Sequence, residues 1–206
     1  MDVRDLAARR MKAEQRAHFV REIIETVILT VLVFLVVHVA IQTFRVDGPS
    51  MQPGLQTNQY LLVNATAYWF GGPQRGDVIV FHDNQSTICG NPGNTDLVKR
   101  VVAIPGDTIQ ITATQVVVDG VTLREPYILA APGNAQSSEV VPPTKLGANQ
   151  FFVLGDNRLN SCDSRFPSVG VVPRSAIHGR ALLVFWPLGQ LHWLPNYSTV
   201  FAKVHA

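Results

Sequence analysis

The longest apolar run lies near the start of the chain: Thr26 to Phe44, TVILTVLVFLVVHVAIQTF, holds 19 residues without a formal charge. At the rise of an α-helix it extends about 28 Å, close to the ~30 Å hydrocarbon layer of a bilayer. A secretory signal peptide has a shorter apolar centre, roughly 7 to 15 residues, closed by a small-x-small cleavage site. Here His38 stands where such a site needs its first small residue, ahead of Val39 and Ala40. The pattern predicts an uncleaved transmembrane helix, placed at residues 23–44. A buried core helix is disfavoured, because no other segment reads as a long helix to pack against it.

Beyond Phe44 the apolar runs shorten and become β-branched: Tyr60–Asn64, Asp77–Phe81, Leu97–Ile104, Thr108–Thr112, Gln150–Leu154 and Ile177–Trp186, separated by Gly and Pro. These are strand lengths with strand punctuation. In VVVDGVTL, Asp119-Gly120 sits between two apolar arms, a tight-hairpin signal because both residues accept positive φ. The predicted fold class is mainly β: one N-terminal transmembrane helix, then an all-β, barrel-like domain over residues 45–206. Within it, residues 108–149 form a hairpin and a small inserted lobe, the proline-bearing stretch 130–148 reading as a long surface loop.

Charge orients the anchor. Arg4, Arg9, Arg10, Lys12, Arg16 and Arg21 precede it, which keeps residues 1–22 cytoplasmic and sends everything after Phe44 outside. The whole chain carries 17 Lys+Arg against 15 Asp+Glu and is only 16% charged, so neither a disordered chain nor a nucleic-acid partner is expected. Trp69 and Phe70, flanked by Gly71 and Gly72, predict a membrane contact at the bilayer interface; Trp186, Trp193 and Phe201 add aromatic rings near the C-terminus. The two cysteines, Cys89 and Cys162, have no Cys/His zinc spacing around them, so no structural metal and no cofactor are expected. Outside the cytoplasm a disulfide between them is permitted, and geometry decides it.

Three segments carry candidate chemistry. Ser50 lies in Val46-Asp47-Gly48-Pro49-Ser50-Met51-Gln52-Pro53, a rigid exposed turn, but a serine hydroxyl needs a base. His82, His178 and His192 are available, none in a segment with clear triad features. Lys99 is the stronger candidate: Leu97-Val98-Lys99-Arg100-Val101-Val102 alternates as a strand, which directs one amine toward the core, where desolvation lowers its pKa. Arg100 cannot substitute, since a guanidinium stays protonated. The polar loop Gly155–Arg165 follows an apolar strand; packed on the Lys99 strand, it would let Ser161 orient the amine, with Asp156–Arg100 and Asp163–Arg165 as structural ion pairs.

Together these segments resemble the bacterial type I signal peptidases, membrane-anchored serine proteases with a Ser-Lys dyad. The resemblance runs from the anchor through FRVDGPSMQP, RGDVIVF, LVKRVVAIPGD and GDNRLNSCDSR to the C-terminal FWP, in the family's order. It implies Ser50 as nucleophile, Lys99 as general base, Ser161 as the residue holding Lys99, and a β-rich catalytic domain on the outer face of the bacterial plasma membrane. It also implies that Val46, Met51, Leu55, Leu97 and Val98 line shallow apolar pockets for the small residues of an Ala-x-Ala site. The implied partners are preproteins with signal peptides and the lipid bilayer, with monomeric action. Two positions depart from the commoner pattern. Gly48 stands where many members place an oxyanion-binding Ser or Thr, leaving the Ser50 N–H and a Gly48 backbone or water donor; Leu159 replaces a frequent Asp. The alternatives are a self-cleaving repressor-type Ser-Lys protein, a specialised processing peptidase of a conjugation system or bacterial-type organelle, and an inactive membrane-tethered β-domain that binds partners.

Overall fold

The computed structural model describes residues 3–83, 95–129 and 139–204, with side chains from His18 onward. Cys89 and residues 130–138 of the 130–148 stretch therefore lie outside the described residues. The chain divides into two units, Met1–Ala40 and Ile41–Ala206.

The first unit is one helix, α1 (Val3–Ala40). Its segment His18–Ala40 has a mean hydropathy of 2.6 and is long and apolar enough to cross a membrane, with none of it buried against protein. Several of its polar side chains are satisfied from within the helix. Thr26 and Thr30 each donate to the carbonyl one turn back, at 2.8 Å, and Arg21 donates to Glu25 at 2.7 Å. A hydrocarbon medium demands such internal satisfaction. The helix ends at Ala40 rather than Phe44: Ile41–Arg45 pair as a strand, and the β-branched and aromatic side chains of this short stretch suit that ladder.

The second unit is antiparallel β. Its strands are β1 (Ile41–Arg45), β2 (Tyr60–Asn64), β3 (Val78–Asp83), β4 (Thr95–Ala103), β5 (Thr108–Ile111), β6 (Val116–Val118), β7 (Val121–Thr122), β8 (Val141–Lys145), β9 (Gln150–Leu154), β10 (Val172–Pro173), β11 (Ile177–Trp186) and β12 (His192–Trp193). One sheet runs β1-β2-β11-β3-β4-β9-β10, with β12 paired to β11; a smaller one runs β7-β6-β5-β8. The mainly β expectation holds, but no barrel closes. The large sheet ends at β1 and β10, which do not pair with each other, and alternation along a strand carries no information about closure.

The β6–β7 turn has Asp119 at φ 48° and Gly120 at φ 77°, as an Asp-Gly hairpin requires. The supposed loop before Ala148 contains β8, VPPTK. Its prolines lack ladder donors, and β8 accordingly occupies the edge of the small sheet. Three apolar clusters fill the domain. One of them, with Val46, Met51, Leu55, Leu61, Val63, Val78 and Val80, underlies the Ser50 turn.

Candidate active site

Ser50 projects from the turn between β1 and β2. The turn is tied down at Met51, whose carbonyl accepts the Leu55 N–H at 2.9 Å, and both side chains are buried in the cluster beneath. Gly48 enters this turn at φ +89°, a backbone state L side chains rarely adopt, which accounts physically for glycine here. The loop after β9 clamps the other side. Asn157 N–H donates to the Ser50 carbonyl at 3.0 Å, and Asn157 Nδ2 to the Pro49 carbonyl at 3.1 Å.

Lys99 lies in β4 opposite Ile79 of β3 and is only 3% exposed. Its Nζ donates to Ser50 Oγ at 2.8 Å. Burial pushes the Lys99 amine down to about 8; the Asp163 carboxylate opposes this, and the Arg165 guanidinium adds to it. Among the described residues no carboxylate pairs with this amine, which leaves burial to hold it low. With the amine neutral, the same contact runs in reverse, the hydroxyl donating to nitrogen.

Asp163 organises the loop. Its Oδ2 accepts from Ser161 Oγ at 2.7 Å, Gly155 N–H at 2.9 Å and Arg165 Nη2 at 2.8 Å, while Oδ1 accepts from Arg165 Nε at 2.7 Å. The Ser161 hydroxyl thus donates to Asp163, and no hydrogen bond joins Ser161 to Lys99. Arg100 makes a bidentate pair with Asp156 at 2.9 and 2.7 Å, and its guanidinium lies 4.4 Å from the Tyr127 ring centre. A third buried pair escaped the sequence reading: Arg158 grips Glu125 at 2.8 and 2.5 Å and donates to the Gly155 carbonyl at 2.9 Å. Its only sequence signal is a lone acid in the apolar surroundings of LREPYIL.

A cavity of about 320 Å³ opens beside Ser50 and Lys99, lined in part by Val46, Gly48, Met51, Leu97 and Val98. Leu55 is absent from it. At 1% exposure Leu55 belongs to the core beneath, beside a separate cavity of about 350 Å³ that it shares with Met51, Tyr127 and His192. The candidate histidines do not reach the serine: His82 and His178 both bond Asp96, and His192 meets the Gln190 and Gly54 carbonyls. Trp69 is 63% exposed and Phe70 fully so, whereas Phe201 is buried in the core. Cys162 is disulfide-bonded; Cys89 is the chain's other cysteine.

The family described as "Signal peptidase, peptidase S26" matches residues 19–186. The chain is 41% identical over 179 residues to signal peptidase I of Leptolyngbya laminosa, covering 84% of this chain and 85% of that protein. It is 32% identical over 173 residues to signal peptidase I U of Bacillus subtilis strain 168, covering 82% and 88%. A solved signal peptidase I from Enterococcus faecalis is similar at 25% identity and a TM-score of 0.43, covering 52% of this chain and 95% of that one.

Proposed function

The chain belongs to the signal peptidase family, peptidase S26, and is a serine endopeptidase; from this premise we propose that it is anchored in a bacterial plasma membrane by residues 18–40 and removes signal peptides from exported preproteins through a Ser50–Lys99 dyad. The carrying observation is the 2.8 Å contact between a buried amine and the Ser50 hydroxyl.

Neutral Lys99 accepts the Ser50 proton as Oγ attacks the scissile carbonyl, then passes it to the leaving amine. A water, deprotonated by the same amine, hydrolyses the acyl-enzyme. No described residue accepts from the backbone N–H of Ser50 or of Gly48, so both donors are available to an oxyanion. The Ser161 oxygen, with its proton committed to Asp163, retains only lone pairs, which suits it to accept from the Lys99 amine.

Substrate adds as a strand. Along Thr95–Lys99, β4 is paired with β3 on one side, while pairing with β9 on the other begins only at Arg100. Among the described residues this edge is unpaired, and it faces a cavity whose apolar wall, Val46, Met51, Leu97 and Val98, suits small side chains at an Ala-x-Ala site. Ser50 follows Ala40, the end of the helix, by ten residues, at most about 36 Å of extended chain, which keeps cleavage near the bilayer. The exposed Trp69 and Phe70 supply a second membrane contact, with the residues before His18 cytoplasmic and those after Ala40 outside. Both dyad members come from one chain, so a monomer suffices.

The test is cleavage of an Ala-x-Ala preprotein in liposomes by the wild type, Ser50→Ala and Lys99→Ala. Loss in both variants with the fold intact supports the dyad. Full activity of Lys99→Ala would refute the amine as base.

A further inference from the structure

Away from the dyad, His82 of β3, Asp96 of β4 and His178 of β11 converge on one face of three adjacent strands. Register explains the convergence. His82 stands directly opposite Asp96 in the β3–β4 ladder, so both side chains leave the sheet on the same side. In the β11–β3 ladder Ile177 pairs with Phe81 and Gly179 with Val80, which makes His178 the extra residue of a bulge. Bulges re-aim side chains, and here the released ring turns its Nε2 toward Asp96. Phe44 stacks on the His178 ring at 5.8 Å and holds its plane.

His82 Nδ1 and His178 Nε2 lie 2.9 and 3.0 Å from the same atom, Asp96 Oδ1, and the three ligand atoms all fall within 4.8 Å of one another. We propose that His82, Asp96 and His178 form a binding site for a divalent transition cation of the zinc type, with the remaining coordination positions open to solvent. Two imidazoles and one carboxylate are the donor set that such an ion prefers. Neighbouring donors on an ion held at about 2.0–2.1 Å lie roughly 2.9–3.4 Å apart, so the two histidine–aspartate spacings need only a few tenths of an ångström of opening. Each imidazole presents a lone pair once its proton moves to the other ring nitrogen. Two neutral rings and one carboxylate give the site a net negative charge, which the cation balances. Without a cation the same three groups form a clasp in which Asp96 accepts from both rings. The proposal is independent of the peptidase mechanism, although Asp96 also lines the cavity beside Ser50.

The experiment uses the full chain in detergent, tag removed and chelator-stripped, titrated with Co2+ as a spectroscopic probe and then with Zn2+ in competition. The expected result is one equivalent of Co2+ with visible d–d bands, displaced by Zn2+, and a melting temperature raised by Zn2+. Asp96→Asn, His82→Gln and His178→Gln should each weaken binding by about tenfold or more, while His192→Gln binds as wild type. Melting curves without metal verify that the variants fold. Absence of the bands in the wild type, or equal binding by Asp96→Asn and His178→Gln, would mean adventitious cation binding only and would overturn the proposal. Because binding is read directly, Ser50→Ala should bind as wild type whatever becomes of the dyad.

Discussion

Gly155 lies so close to Ser50 that a single added methyl group would stand 2.5 Å from the Ser50 carbonyl oxygen and 2.2 Å from Ser161 Oγ. Both distances are well inside van der Waals contact, and one of the neighbours is backbone. The loop after β9 is therefore pressed against the serine turn, and glycine is what allows it. Gly155→Ala should push the two apart by several tenths of an ångström or more. A displacement of ~1 Å at a reacting group can cost on the order of 100-fold in rate. We expect a fall of that order in kcat/KM on an Ala-x-Ala substrate, with a stability loss of about 1–3 kcal/mol from overpacking. Wild-type kinetics in a folded Gly155→Ala protein would contradict this coupling.

As the proposed general base, the Lys99 amine, lowered by burial to about 8, should set the pH dependence. The base must be neutral to act, so kcat/KM should rise with pH through an acid limb inflecting near pH 8. An inflection near 6.5 would implicate a histidine instead, and one near 10.4 an amine exposed to water.

The same shift has a stability consequence. The folded-state pKa lies below the unfolded one, so between about pH 8 and 10.4 the unfolded chain binds more protons, and stability from this group rises with pH across that window. Below pH 8 the fold carries a buried ammonium. Lys99→Met, which leaves Asp163 still paired with Arg165, should abolish cleavage yet stabilise the protein by on the order of 1–3 kcal/mol at pH 7. Denaturant unfolding at pH 7 and pH 10 should show that advantage shrinking.

Arg158 and Glu125 are both buried, and Arg158 also holds the Gly155 carbonyl. Glu125→Ala strands a buried guanidinium, which typically costs about 3–5 kcal/mol. Thermal unfolding should show a large drop in Tm, accompanied by lost activity as the loop over Ser50 loosens. A stability loss of only a few tenths of a kcal/mol would contradict a buried, mutually dependent pair.

Leu55 lies in the core, whereas Val98 lines the cavity beside Ser50, the proposed substrate groove. Leu55→Ala should cost about 2–5 kcal/mol, as a buried leucine does, and leave the preference for small residues intact. Val98→Phe, filling the cavity beside Ser50, should instead raise KM for an Ala-x-Ala substrate at nearly wild-type stability. Steady-state kinetics with melting curves on both variants distinguish the two.

Much of this architecture is legible in the amino-acid order because its causes are local. Periodicity and length mark the apolar helix, β2, β9 and β11 appear at their observed limits, and the Asp119-Gly120 turn announces itself through the φ values it needs. Lys99 is conspicuous for the same reason, an amine among β-branched residues. Strands such as β8 and β10 are hidden, since prolines or mere brevity remove the local signal and only a partner strand makes them strands.

What the sequence determined by itself, then, is the helix, the class of the domain and the few polar residues set within apolar runs. Tertiary structure alone decided that the sheets stay open and that Leu55 belongs to the core rather than the groove. It also decided that the Ser161 hydroxyl donates its hydrogen bond to Asp163, that Glu125 meets Arg158, and that His82, Asp96 and His178 meet at one point. Those outcomes depend on strand order, register and one bulge, which bring together residues as much as 96 positions apart, from His82 to His178. No local pattern encodes such a meeting, because side-chain chemistry is written at each residue whereas proximity is settled by how the whole chain packs.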